Sequence, residues 1–165
     1  MSWSKIISAN LLIFFIFGIA TVDNAIAGEK VKQKWHGISY STKFEQIDVG
    51  DEEGHIIAIY ENKSIYVNEA TGERAVDRGS GILDINMKTG IGSVRGYGEL
   101  TYENGDKMYR YSEGKPVAKG ISKGVWKITK CTGTLEGTKG GGTWTSYNMA
   151  PKQSFVEVEG EMETP

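Results

Sequence analysis

The 165 residues include one cysteine, Cys131, so no intramolecular disulfide can brace the fold and it must hold by burial alone. Proline is nearly as scarce, with three residues. The two histidines, His36 and His55, are too few and too far apart in the chain to mark a metal site by spacing, and no metal motif accompanies them. Neither sign of charge dominates: charged residues make up 24% of the chain, the signs are interspersed, and the formal net charge is −2. That balance removes the electrostatic case for nucleic-acid binding, which leans on a clustered basic surface. It also argues against a disordered chain or a large hydrophobic membrane domain. After the first 27 residues no stretch shows a sustained helical stripe of apolar side chains, so few long helices are expected.

Glycine is what the chain has in quantity, 22 residues of which only Gly18 falls in the first 27. The remainder is about twice the roughly 7% of an average protein and implies many tight turns. At the start, Lys5 precedes an apolar run over residues 11–17 that continues to Ala20, then a short polar stretch and Ala25-Ile26-Ala27. This is the anatomy of an export signal, with small residues placed for cleavage after Ala27 and a second choice at Gly18-Ile19-Ala20. Its apolar core of about ten residues is short of the roughly 20 that a spanning helix needs. No cysteine lies near the cut to carry a lipid. Residues 1–27 are thus expected to be a removed signal peptide and residues 28–165 to fold as one domain, exported to a periplasmic or extracellular space and free of the membrane after cleavage.

Along the remaining 138 residues, period-two alternation is clearest over residues 38–45, where Ile38, Tyr40, Thr42 and Phe44 share one face and Ser39, Ser41, Lys43 and Glu45 the other. That predicts a half-buried strand. A more fully covered strand is expected over residues 55–60, extended or returned by 65–67. Residues 68–79 have no apolar period and are expected as a loop or a single helical turn, before a strand over 81–87. Residues 94–103 and 106–111 flank Asn104-Gly105, the dipeptide that most readily supplies a two-residue type I′ turn. Such a turn sets Leu100 opposite Tyr109 and Glu99 opposite Arg110, with Gly98, Leu100, Tyr102, Tyr109 and Tyr111 on one face and Arg95, Tyr97, Glu99, Thr101, Met108 and Arg110 on the other. After a turn at 113–116, strands are expected over 125–131, 142–147 and 154–160, the last carrying Glu157, Glu159, Glu161 and Glu163 on a solvated face. Seven or eight antiparallel strands joined in sequence make a barrel or a sandwich; only the barrel removes exposed edges.

The glycine-rich residues 133–142 lack the Gly-Lys-Ser/Thr and following helix of a phosphate loop, which leaves a tight barrel corner. Cys131 with His36 or His55 lacks the local signature of a thiol enzyme, and its ordinary reading is a small buried hydrophobe. Asn62-Lys63-Ser64 fits the N-glycosylation pattern, which matters only in a eukaryotic secretory pathway.

Within the same corner, Thr132-Gly133-Thr134-Leu135-Glu136-Gly137, with Gly140 and Gly142 after it, resembles the Gly-Thr-Gly-x-Phe-x-Gly/Ala-x-x-Gly strand and turn of allene oxide cyclase-like and dirigent-type β-barrels. Upstream, Gly79-x-Gly81, Lys88-Thr89-Gly90, Gly96-Tyr97-Gly98 and Asn104-Gly105 follow in an order similar to that of small exported bacterial proteins of this kind. The resemblance spans about residues 79–160, rests on structural glycines, and implies an all-β fold: a single antiparallel up-and-down barrel of about eight strands. Cys131 stands where the pattern has its first Gly and Leu135 where it has Phe. The acidic and aromatic catalytic residues of the cyclases are not carried over to positions of this chain.

A barrel of about eight strands has room for side chains or one small ligand. The ligand-binding candidates are Tyr97, Glu99, Tyr109, Arg110, Trp126 and Trp144, and no cofactor is implied. Outside the barrel a Glu99/Arg110 pair is worth well under ~1 kcal/mol; inside, it would bind or polarise a ligand. Three readings follow: a binding protein for a small apolar or aromatic ligand, a cyclase or isomerase steered by Glu99 or another interior carboxylate, and an interaction module with a filled core, trimeric as the resembling barrels often are. One fold hosts many functions and does not choose among them.

Overall fold

Eight antiparallel strands follow one another around a closed barrel, each hydrogen-bonded to its neighbours in sequence and the last to the first. They are β1 (Lys30–Asp48), β2 (His55–Asn68), β3 (Arg74–Asn86), β4 (Gly92–Tyr102), β5 (Lys107–Ala118), β6 (Ile121–Cys131), β7 (Lys139–Ala150) and β8 (Gln153–Glu163). This computed structural model describes residues 29–165; the expected signal peptide and its cleavage site lie outside them. Among the described residues the only helical element is a 3-10 turn over Gly133–Leu135, and no helix is long and apolar enough to cross a membrane.

The seam that closes the barrel is written in charge. Lys30, Lys32 and Lys34 on β1 stand opposite Glu163, Glu161 and Glu159 on β8, and Lys34 Nζ lies 3.6 Å from Glu159 and 3.5 Å from Glu69. Each exposed pair contributes little alone. As directly opposed partners they favour this register, because a one-residue slip would turn every side chain to the wrong face.

The inside is layered. At the end holding the β2–β3, β4–β5 and β6–β7 connections, Trp35, Tyr66, Ala75, Leu100, Tyr102, Met108, Cys131 and Met162 form an apolar plug, with Trp35 edge-on to Tyr102 at 6.0 Å between centroids. Cys131 is buried in it, as expected for a small hydrophobe, and burial raises its thiol pKa. Further up the barrel large side chains lie flat along the wall, and glycines one or two strands away leave the room. A Cβ on Gly124 would fall 2.6 Å from the Trp144 indole, and one on Gly160 would fall 2.6 Å from Trp126. Gly81 and Gly96 make the same space for the Tyr60 hydroxyl. The glycine excess therefore serves the walls as well as the turns.

Four expectations are corrected. On β1 the serines face inward and Ile38 and Tyr40 outward; a bulge between Ser41 and Lys43 then shifts the phase and returns Phe44 to the inner side. Residues 74–79 are strand, not loop: the inward positions of β3 carry Ala75, Asp77, Gly79 and Gly81, so no apolar period marks them. No turn interrupts residues 113–116; β5 runs through Pro116 to Ala118, with a register shift where the proline cannot donate.

The fourth correction matters most for the interior. The β4–β5 loop has three residues, closed by Tyr102 N donating to Asp106 O at 3.0 Å and Gly105 N to Tyr102 O at 3.0 Å, with Gly105 at φ 88°. This is the three-residue hairpin loop with a left-handed glycine in place of the type I′ turn. Asp106 is occupied elsewhere, accepting from Asn104 Nδ2 at 2.9 Å and from the backbone N–H of Thr134 at 3.0 Å and its hydroxyl. Leu100 consequently pairs with Met108 and Gly98 with Arg110. Arg110 turns inward, and Tyr109 and Tyr111 turn out.

At the opposite end His55 fastens the β1–β2 loop. Its Nδ1 lies 2.6 Å from Asp51 Oδ1 and its Nε2 2.9 Å from Asp84 Oδ1 on β3. Hydrogen bonds to Asp84 and then Asp51 raise the imidazole pKa, and the bond to His55 lowers that of Asp51.

Two outcomes are expected. Gly124→Ala, which drives a Cβ against the Glu113 carbonyl oxygen and the Trp144 ring, destabilises the domain by about 1–3 kcal/mol, read as a lower urea midpoint; an unchanged midpoint removes the packing argument. For the His55 clasp, a raised imidazole pKa contributes stability present below the ordinary value of about 6.5 and lost as pH rises through the raised one. The lowered Asp51 pKa contributes stability present above the ordinary carboxylate value and lost as pH falls through the lowered one. Amide-exchange protection of residues 49–54 should therefore peak in mildly acidic solution and decline towards alkaline pH, a dependence that His55→Gln abolishes.

Candidate functional site

Above the plug the barrel is hollow. A cavity of about 470 Å³ reaches the end formed by the β7–β8 turn, where Ala150, Pro151 and Lys152 edge it. Its walls combine two kinds of surface. Trp126, Trp144, Tyr60, Phe44, Leu83 and Val156 supply apolar area. Ser39, Ser41, Ser112, Ser122, Ser146 and Ser154, with Asn62 and Asn148, supply short polar groups.

The tryptophans present rings rather than polar tips. Trp144 Nε1 donates to the Val125 carbonyl at 3.2 Å and Trp126 Nε1 to the Glu159 carbonyl at 3.2 Å. With each indole N–H satisfied by the wall, the ring faces remain for an apolar partner.

Between plug and cavity lies a polar layer built on Asp77, which is fully buried. Arg110 Nη2 meets Asp77 Oδ2 at 3.0 Å. To do so Arg110, on β5, crosses the intervening β4 at Gly98, where a Cβ would sit 2.9 Å from Asp77 Oδ1 and 3.1 Å from Arg110 Nε. The guanidinium also lies 5.6 Å from the Tyr66 ring centroid, within cation–π range. Burial raises the Asp77 pKa and the Arg110 charge opposes that rise; Arg110 stays cationic throughout. Ser64 Oγ donates to Ser39 Oγ at 3.0 Å and Asn62 Nδ2 to Ser39 Oγ at 3.1 Å. Asn62 Oδ1 is buried without a hydrogen-bond partner among the described residues. The Asn62-Lys63-Ser64 triplet thus aims its asparagine into the barrel, away from any glycosylating enzyme.

The structure brings together three of the six candidate residues. Arg110, Trp126 and Trp144 line the cavity. Tyr97, Glu99 and Tyr109 stand on the outer wall: Tyr97 is 65% exposed and packs on Tyr111 at 5.3 Å between centroids. Glu99 pairs with Lys107 at 2.8 Å instead of Arg110, and that hydrogen bond holds its carboxyl below the usual range. Among the interior residues that sequence reasoning did not place inside are Asp77, Tyr60 and Asn62, the last read only as part of a glycosylation triplet. A signal existed in the two Gly-x-Gly steps, Gly79/Gly81 and Gly96/Gly98, which face each other across β3 and β4 and clear the space these side chains fill.

Neither a family model nor a curated protein sequence matches the chain. Solved structures do. A pterocarpan synthase dirigent protein, GePTS1, superposes with a TM-score of 0.53 over 100% of both chains at 9% identity. A second, PsPTS1, gives 0.52 over 84% of this chain and 97% of its own at 8% identity. The closed eight-stranded antiparallel barrel of this chain is the dirigent-type β-barrel fold.

Proposed function

We propose that the protein is an exported binding protein that holds a small aromatic molecule inside its barrel. The observation that carries this reading is the open 470 Å³ cavity with two tryptophan rings in its wall, since a module built for structure alone would be filled. Export rests on the signal-peptide anatomy of residues 1–27. Dirigent proteins among the structural neighbours are pterocarpan synthases, which keeps a reaction in the barrel as the second reading. For that reading Asp77 replaces Glu99 as the interior carboxylate, but Asp77 is fully buried and absent from the cavity lining. A general acid or base must come within hydrogen-bond reach of the proton it moves, so the geometry favours binding without turnover.

The outer wall supports self-association. Phe155, Ile38, Ile65 and Val76 are register partners on β8, β1, β2 and β3, and the last three are 38%, 59% and 51% exposed. Beside this row β8 presents Glu157, Glu159 and Glu161, whereas the outer face of β6 presents Lys123, Lys127 and Lys130. Opposite charges on different strands suit a heterologous contact between copies, the kind that closes into a ring such as a trimer.

Native mass spectrometry of the protein taken gently from its own host should give a mature chain starting at Gly28 with an extra mass released on denaturation. A clean apo mass together with no binding of any aromatic probe removes the ligand reading. Trp144→Ala should weaken retention of the bound molecule about tenfold, equivalent to ~1.4 kcal/mol, without changing oligomer mass. Ile65→Lys should do the converse, leaving binding intact and giving a monomer by light scattering.

A further inference from the structure

Among the described residues the charges lining the cavity are of one sign: Arg110 and Lys152 line it, and no aspartate or glutamate does. Asp77 compensates Arg110 from behind, out of contact with the cavity, with its Oδ2 3.0 Å from Nη2. A guanidinium carries five N–H donors in a planar fork suited to a carboxylate. The fork is also held in place: Gly98 lets it cross β4, Asp77 anchors one end and the Tyr66 ring backs it. A donor fixed before the ligand arrives loses little freedom on binding.

Resting on the ligand-binding reading above, we infer that the natural ligand is an aromatic carboxylate: its ring packs on Trp126 and Trp144, and its carboxylate sits on the cavity side of Arg110. A neutral aromatic of the same size would gain the ring contacts and leave only the cavity side of the guanidinium, the side away from Asp77, without an anion. A cationic aromatic would meet Arg110 and Lys152 with no carboxylate in the lining to receive it. The six lining serines add donors and acceptors for ring substituents without adding charge of either sign.

The test compares 2-naphthoate with 2-naphthylmethanol, which share a ring system and differ in charge, by tryptophan-fluorescence titration of the mature protein at neutral pH. Naphthoate is expected to bind at least tenfold tighter, with an advantage that shrinks when Lys152→Gln removes the cation at the cavity edge. In the double variant Asp77→Asn/Arg110→Gln, which replaces the buried pair by neutral groups of similar size, the preference should disappear while naphthylmethanol affinity persists. Equal affinities in the unaltered protein overturn the carboxylate inference and leave the binding reading standing. A preference that survives in the folded double variant also overturns it, by placing the anion away from Arg110. If neither probe binds protein whose circular dichroism shows intact strands, the binding reading fails and this inference with it. The comparison in the unaltered protein decides the matter even if the double variant does not fold.

Discussion

Arg110 reaches Asp77 only because the strand between them offers Gly98 at the crossing point, and the interior is organised around that reach. A buried carboxylate without a counter-charge would be expensive, and truncating one member of such a pair characteristically costs several kcal/mol. The pair does not recover that cost by strength alone, since burial opposes ionisation of the acid. What it provides is a divider. Below it the side chains are apolar and close-packed around Trp35 and Tyr102; above it the wall turns to serine and indole, and the barrel stays hollow.

The strand order and the antiparallel meander were legible from turn signals and alternation, and so was the solvated glutamate face of β8. The inside-outside assignment was not, and the reason is physical. In a soluble protein alternation is read by placing apolar residues inward, whereas this barrel reverses that choice where it holds a cavity. Ser39 and Ser41 face in, and Ile38 and Tyr40 face out. The first half of β3 was hidden for the same reason, because Ala75, Asp77 and Gly79 occupy its inward positions. The β4–β5 register depended on a tertiary contact that no local pattern contains: Thr134, 28 residues away in sequence from Asp106, binds its carboxylate. One residue of register then decided whether Arg110 or Tyr109 belonged to the site.

Three of the six candidate side chains, Arg110, Trp126 and Trp144, line the cavity, and they share a property that Tyr97, Glu99 and Tyr109 lack. Each lies over glycine or threads past one on a neighbouring strand. In a chain this rich in glycine, the residues whose Cβ is missing are informative about the side chains that need the room. Placed opposite one another on consecutive strands, Gly79/Gly98 and Gly81/Gly96 outline the footprint of Asn62, Arg110 and Tyr60 before any of these is located. Glycine spacing is thus a better guide to the interior here than hydrophobic pattern.

The lysine–glutamate seam has a consequence for how the molecule is made. Seven of the eight strand pairings join sequence neighbours through short connections and can form as hairpins while the chain is still incomplete. The eighth joins Lys30 to Glu163, near the two ends of the described chain. Until β8 is available, β1 and β7 are both open edges, each a template for pairing with another molecule. Delaying that contact adds only a logarithmic entropic penalty for the long loop, but it makes ring closure the step of greatest sequence separation and slows folding accordingly. A chain lacking its final strand would therefore be more than one strand short: it would be an open sheet with two adhesive edges.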